Sequence, residues 1–300
     1  MLVLVAVGMV ALLGFAGLSV DLGSWYHQQR AEQAIADAAA LAGAQDLPDD
    51  PSGAAALALQ YANANGAGLL PSDIVISSDR APNDTISVRV GKAAPAVFTK
   101  LYGVNSVTIH ASAAARSDGV SSAEYVAPVA VSSKHPLLGC VPPPCSGATQ
   151  LDMVDLKAKG GPNAAGNFSL LDLRINGGGS VGESTLADWL TNGYNASMPL
   201  GVYTGAPGAK FNGSQFQAAL AGRVGQEVLF PVYRPPILLS GSNAQFNIVG
   251  WVGFQITGSS GQGNSATIYG SFTRFIAQGL QASNPGSQFD FGVRAVQLVQ

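Results

Sequence analysis

A chain of 300 residues with 15 Lys/Arg against 18 Asp/Glu carries a net charge of −3, and charged residues make up only 11% of it, less than half the usual share. No basic run exists, which excludes nucleic-acid binding through phosphate neutralisation. Few charges together with 37 glycines suit a β-rich extracellular protein better than a cytosolic enzyme, and the length allows an anchor plus one or two folded units.

Met1 to Val20 (MLVLVAVGMVALLGFAGLSV) has no charged residue and one hydroxyl, Ser19. As a helix it is about 30 Å long, the hydrocarbon thickness of a bilayer. Asp21 ends the run, and Trp25 and Tyr26 follow where an interfacial aromatic belt would sit. The competing reading is a cleaved signal peptide, for which Gly14-Phe15-Ala16 offers a small-x-small pattern. The run continues past that point and lacks a basic n-region, so an anchor is expected. Within it, Gly8, Gly14 and Gly17 would permit close packing of membrane helices. Asp21, at the membrane exit, is either a carboxylate for a neighbouring subunit's cation or simply where polarity resumes. Ala31, Ala34, Ile35, Ala38, Ala39 and Ala42 then recur at three- and four-residue spacing, which extends one helix into water with an Ala face.

Asp46 to Ser52 (DLPDDPS) is a breaker, and GAAALALQYANANG a short helix stopped by Asn65-Gly66. Alternation predicts strands at Asp73–Ser77, Thr85–Val90 and Ser106–Ala111, with a helix over Pro95–Gly103 between the last two. Residues 117–165 give one strand, Tyr125–Ser132, and otherwise resist assignment. Beyond Gly166 the chain reads as strands at Phe168–Ile175, Glu227–Tyr233, Phe246–Thr257, Ala266–Gln278 and Phe291–Gln300. Short helices are expected after a loose capping box, Thr185-x-x-Asp188, and over Ser214–Val224. The expected class is α+β: a long N-terminal transmembrane and stalk helix, a small antiparallel sheet with a short helix, then a β-rich extracytoplasmic domain. The corresponding divisions are 1–45, 46–120 and 121–300.

Little chemistry is visible. Cys140 and Cys145 frame a Val-Pro-Pro-Pro loop; outside the cytoplasm they would close a small disulfide, the alternative being two free thiols. His27, His110 and His135 have no metal-ligand spacing, so neither metal nor cofactor is expected. Gly178-x-Ser180-x-Gly182 fits a nucleophile elbow, but no histidine follows Ser180 to take its proton. Gly177-x-Gly179-x-x-Gly182 fits a dinucleotide loop, without a βαβ unit or an acidic residue between Asp188 and Glu227. Both are read as flexible loop. Asp152, Asp155 and Asp172 define no acid/base pair, so no enzyme is expected; a hydrolase using Ser180 is the least favoured alternative.

The run G-F-A-G-L-S-V-D-L-G, then W-Y, then A-I-A-D-A-A-A-L-A-G-A resembles the N-terminus of the TadE/TadG-like family of Flp (Tad, type IVb) pilus-assembly proteins, over Leu12 to Ala44. The segment closing on Val107–Ala115 also looks like that family's first extracytoplasmic part. The resemblance implies a single-span protein of the cytoplasmic membrane, with its bulk extracytoplasmic, serving as an assembly factor or minor pilin-like component. Its partners would be membrane lipid, other pilus and secretion-system membrane proteins reached through the N-terminal helix, and a second copy of itself. Two features of relatives are not carried over. Leu2 to Val10 lacks the carboxylate of a processed pilin, and no D-x-S-x-S supports metal-dependent adhesion. A surface adhesin on the same anchor is the alternative function.

Overall fold

The computed structural model describes residues 1–153, 168–177, 180–238, 244–262, 265–276, 281–282 and 290–299. They divide into two compact units, Met1–Ser117 with Val296–Gln300, and Asp118–Ala295. The class is mixed α+β: a long N-terminal helix, antiparallel sheets and a β-rich C-terminal region.

In the first unit, helix α1 runs unbroken from Leu2 to Ala44, roughly 65 Å at the α-helical rise. Leu, Ala and Val with no proline before Pro48 sustain it. Leu4, Val5, Val7, Met9, Val10, Leu12, Leu13 and Phe15 are all exposed. Among the described residues, α1 is the one helix long and apolar enough to cross a membrane.

The other half of α1 is core. Ala36, Ala39, Ala40 and Ala44 pack with Ala54, Ala58 and Ala62 of helix α2 (Pro51–Ala64). Asp50 starts α2 by accepting a hydrogen bond from the Gly53 amide at 2.9 Å, with Pro51 in the first turn. Small side chains let the two backbones approach closely. A Cβ on Gly43 would lie 2.7 Å from the Ala54 carbonyl oxygen and 2.7 Å from Ile86 Cδ1. Of the expected Ala face, Ala39 and Ala42 are buried while Ala34 and Ala38 stay exposed, so the packed side of the helix is turned partly away from it. The stalk is an integral wall of the first unit.

Strands β1 (Ile74–Ser77), β2 (Thr85–Pro95) and β3 (Ser106–Ala123) form an antiparallel sheet in that order, with Ile76 opposite Ile86 and Val90 opposite Ala111. Ile86, Val88 and Val90 alternate inward onto the alanines. The loop before β2 closes on Asp84, whose carboxylate accepts from the amides of Asp79, Arg80 and Ala81 and from the Thr85 hydroxyl. Burial pushes that carboxyl up, but these donors outweigh it and hold it below the usual range. Both long strands outrun their visible alternation, because Ala93–Ala94 and Ala113–Ala115 offer no polar–apolar contrast. The helix expected over Pro95–Gly103 is not formed. β2 continues through Pro95, and only a 3-10 turn, Thr99–Tyr102, follows.

The second unit has a sheet ordered β5-β11-β10-β9-β4-β6, with β8 also on β10. Its strands are β4 (Val129–Ser132), β5 (Ala148–Asp152), β6 (Phe168–Leu170), β8 (Gly201–Thr204), β9 (Glu227–Leu238), β10 (Gln245–Ser260) and β11 (Thr267–Thr273). β4 lies parallel to β9 and antiparallel to β6. Two-residue strands β7 (Met198–Pro199) and β12 (Gln281–Ala282) pair with the Val120–Ala123 end of β3. Strand β13 (Arg294–Val299) also pairs with β3 and brings Val296 to the first unit's core.

Helices α3 (Glu183–Asn192) and α4 (Ser214–Gly222) pack together and bury Leu186, Trp189, Leu190, Phe216 and Leu220. The expected capping box is not there: Gly182 is the N-cap, without a side-chain bond, and Thr185 lies inside the helix. Strand Phe168–Ile175 stops at Leu170, because Arg174 turns back on the buried Asp172 with a bidentate contact of 2.8 and 2.7 Å.

Two measurements follow from this packing. Gly43→Leu forces a side chain into the Ala54 backbone and lowers stability by about 2 kcal/mol, read as an earlier urea midpoint for detergent-solubilised protein. The second concerns His135, which is buried, accepts the Leu137 amide on Nδ1 at 3.2 Å and contacts Thr149 Oγ1 through Nε2 at 3.1 Å. Burial holds its pKa below the ordinary 6.5. The unfolded chain therefore takes up a proton first. The stabilisation is complete above pH 6.5 and is lost as pH falls through the lower folded value. Thermal melts at pH 7.5 and 5 should show a drop for the native chain that His135→Asn reduces.

Candidate functional site

One face of α1 meets the rest of the first unit along Gly14, Gly17, Asp21, Trp25, Gln28, Glu32, Ala36, Ala39 and Gly43, a spacing of three and four throughout; each is buried or partly buried. Apart from Trp25 the stripe is made of small and polar residues, and it begins inside the apolar run.

Asp21 is its pivot. The side chain is 1% exposed. Oδ1 accepts the Val97 amide at 3.0 Å, while Oδ2 accepts the Phe98 amide at 2.9 Å, the Thr99 amide at 2.7 Å and the Thr99 hydroxyl at 2.8 Å. These are the free donors at the start of the Thr99–Tyr102 turn, and a carboxylate is the partner that such a cluster of N–H groups favours. Trp25 adds a longer bond from Nε1 to the Pro95 carbonyl at 3.4 Å.

The glycines of the stripe make room for the same segment. A Cβ on Gly17 would meet the Phe98 ring at 2.7 Å, and one on Gly14 would meet the Tyr102 hydroxyl at 3.4 Å. Gly8 has no such neighbour within 4 Å. Two of the three glycines expected to face other membrane helices thus face the β2–β3 connection of their own chain. Lower on the stripe, Gln28 and Lys92 reach the buried Glu32, Lys92 with its Nζ at 3.8 Å.

The remaining sequence candidates are dispersed. Cys140 and Cys145 are joined as a disulfide with Cα atoms 5.8 Å apart. Ser180 is exposed, just before α3; Gly178 and Gly179, needed for both glycine motifs, lie outside the described residues, as does Asp155. Both ring nitrogens of His135 are already engaged. Asp152 accepts from Thr267 Oγ1 at 2.8 Å and Asp172 holds Arg174, so both carboxylates serve the fold. A cleft of about 530 Å³ between α3 and α4 is lined by one carboxylate, Asp188, beside Arg223 and Gln226. Among the described residues, no group of three or more His, Cys, Asp or Glu could hold a metal ion.

What the geometry singles out is the place where α1 enters the folded body. Residues 1–46 match the TadE/G-like Flp pilus-assembly family. The match takes in the whole of α1 and ends in the turn before α2, so it covers both the apolar half and the stripe down to Gly43. This is the family to which the Ala-Asp-Ala-Ala-Ala-Leu-Ala-Gly-Ala stretch pointed. No curated protein and no solved structure matches the chain. The TadE/G-like segment thus carries a single helix that fits a membrane anchor, with Asp21 satisfied inside its own chain.

The sequence did not expose the other side of this junction. Pro95 and Gly103 make the segment holding Phe98, Thr99 and Tyr102 look like a short helix. The available signal was Asp21 itself, an acid at the end of an apolar run that needs donors. Asp21→Ala should leave β2 and β3 protected but speed hydrogen exchange of the Val97, Phe98 and Thr99 amides by about tenfold or more, since they lose their shared acceptor. Exchange measured by mass spectrometry in detergent micelles checks this.

Proposed function

We propose that the protein is a membrane-anchored component of Flp pilus assembly, acting as a non-enzymatic assembly factor or minor pilin-like subunit. The observation that carries this reading is the family match over residues 1–46, on a helix whose first half is apolar and exposed. In this reading the span is a single pass of the cytoplasmic membrane, and both folded units stand on the extracytoplasmic side. The Cys140–Cys145 disulfide and the low charge content support that side.

Because the β2–β3 connection covers Gly14 and Gly17, partners in the membrane would be met through the exposed residues between Leu4 and Phe15 and around Gly8. Other pilus and secretion-system membrane proteins, lipid and a second copy are the proposed occupants. The second unit, with its large β sheet, supplies surface for further contacts and has no cofactor in this reading.

Full-length chain tagged at its C-terminus and extracted gently in detergent should co-purify with pilus-secretion membrane proteins, and its deletion should abolish Flp pili. Recovery of a shortened species beginning near Gly17, free in the medium and without those partners, would sink the proposal.

A further inference from the structure

The connection between β2 and β3 carries an apolar tip that nothing in the first unit covers. Leu101 is 84% exposed, Tyr102 75% and Val97 63%, with Phe98 and Val104 also exposed. A cluster of large apolar side chains at a loop tip is not an ordinary surface feature. Its level along α1 is fixed by contacts already described. Phe98 lies over Gly17 and Tyr102 over Gly14, seven residues before Asp21, or about 10 Å along the helix towards its apolar end. The tip therefore sits beside the part of α1 that carries no charge at all.

We infer that residues 97–104 dip into the same bilayer as α1, as a second membrane-embedded element whose occupant is lipid. This inference rests on α1 being in a membrane and goes beyond the assembly role. Three observations carry it. The apolar surface of the tip is continuous with the exposed apolar surface of α1 through the Gly17–Phe98 and Gly14–Tyr102 contacts. The backbone is prepared for a medium without water, where an unbonded N–H is costly. Val97, Phe98 and Thr99 give their amides to Asp21; Ala96 gives its amide to Asn105, Leu101 to Phe98, Gly103 to Lys100 and Val104 to Thr99. The third is the polar fringe. Lys100 has a stem long enough to return its charge to the headgroups. Trp25 and Tyr26, beside a groove of about 400 Å³ that Leu22 and His110 also line, stand at the level where the interface would be. Asp21 thus acts as an internal acceptor that lets a turn of irregular backbone enter lipid.

The test uses the full chain in phosphatidylcholine vesicles, with its disulfide intact, carrying an environment-sensitive fluorophore on one introduced thiol. Leu101→Cys, Leu12→Cys as a marker of the span and Ala56→Cys on exposed α2 are compared. Leu101 is largely exposed and Ala56 lies on the outer face of α2, so folding should survive and circular dichroism confirms it. Lipids spin-labelled along the acyl chain should quench Leu12→Cys, and should quench Leu101→Cys at least about twofold more than Ala56→Cys, as expected of a tip beside the apolar half of α1, and the emission of Leu101→Cys should be blue-shifted. Quenching of Leu12→Cys without quenching of Leu101→Cys overturns the inference while leaving the anchor intact. Absence of quenching at Leu12→Cys removes the membrane reading and this inference with it. Oxidative cross-linking of Leu101→Cys between copies, without lipid quenching, also overturns it and makes the tip a contact between subunits.

Discussion

The first unit depends on one carboxylate. Asp21 collects three backbone amides and a hydroxyl from Val97–Thr99, and so ties the middle of a long helix to the far end of a β hairpin. Without it, the Thr99 amide and hydroxyl would be buried with nothing to accept them and the partly buried Val97 and Phe98 amides would lose the same partner, so the connection would come loose from the helix while the hairpin itself held. With it, Gly17 and Gly14 can let Phe98 and Tyr102 lie against the helix, and the hairpin keeps its full length to Pro95 and back from Ser106.

Helix α1 is consequently two things at once. From Leu4 to Phe15 most of its surface is apolar and uncovered. From Glu32 to Ala44 it is a wall of a packed core, sealed by alanine against alanine. The change between these environments is gradual, because the covered stripe starts at Gly14 while the remaining faces stay open. A helix that is rigidly part of the folded unit cannot swivel freely at the membrane surface. Tilt of the anchor and position of the sheet are coupled.

The long helix, the strands of the first sheet and most of the aromatic strands of the second unit could be read from periodicity and composition. What could not be read was which face of α1 is inside. Hydrophobic patterning finds a buried face by its apolar residues, but this one is written in Gly, Gly, Asp, Trp, Gln, Glu and Ala. Against an apolar background the covered side is the less hydrophobic one, so the usual signal is inverted. The 3-10 turn was mistaken for a helix because Pro at the start and Gly at the end fit either. The parallel pairing of β4 with β9 depends on residues a hundred positions apart, beyond any local pattern.

The pairing of β13 with β3 makes the first unit discontinuous: its sheet is completed only after residues 118–295 have been made. In effect the second unit is an insertion between two neighbouring strands of the first. The strand that joins β3 is thus supplied from beyond the whole of the second unit. The chain leaves the first unit after Ser117 and returns to it at Val296, both points lying inside strands, β3 and β13. The Asp21 junction lies wholly within residues contributed before that excursion, so its geometry owes nothing to the inserted sequence.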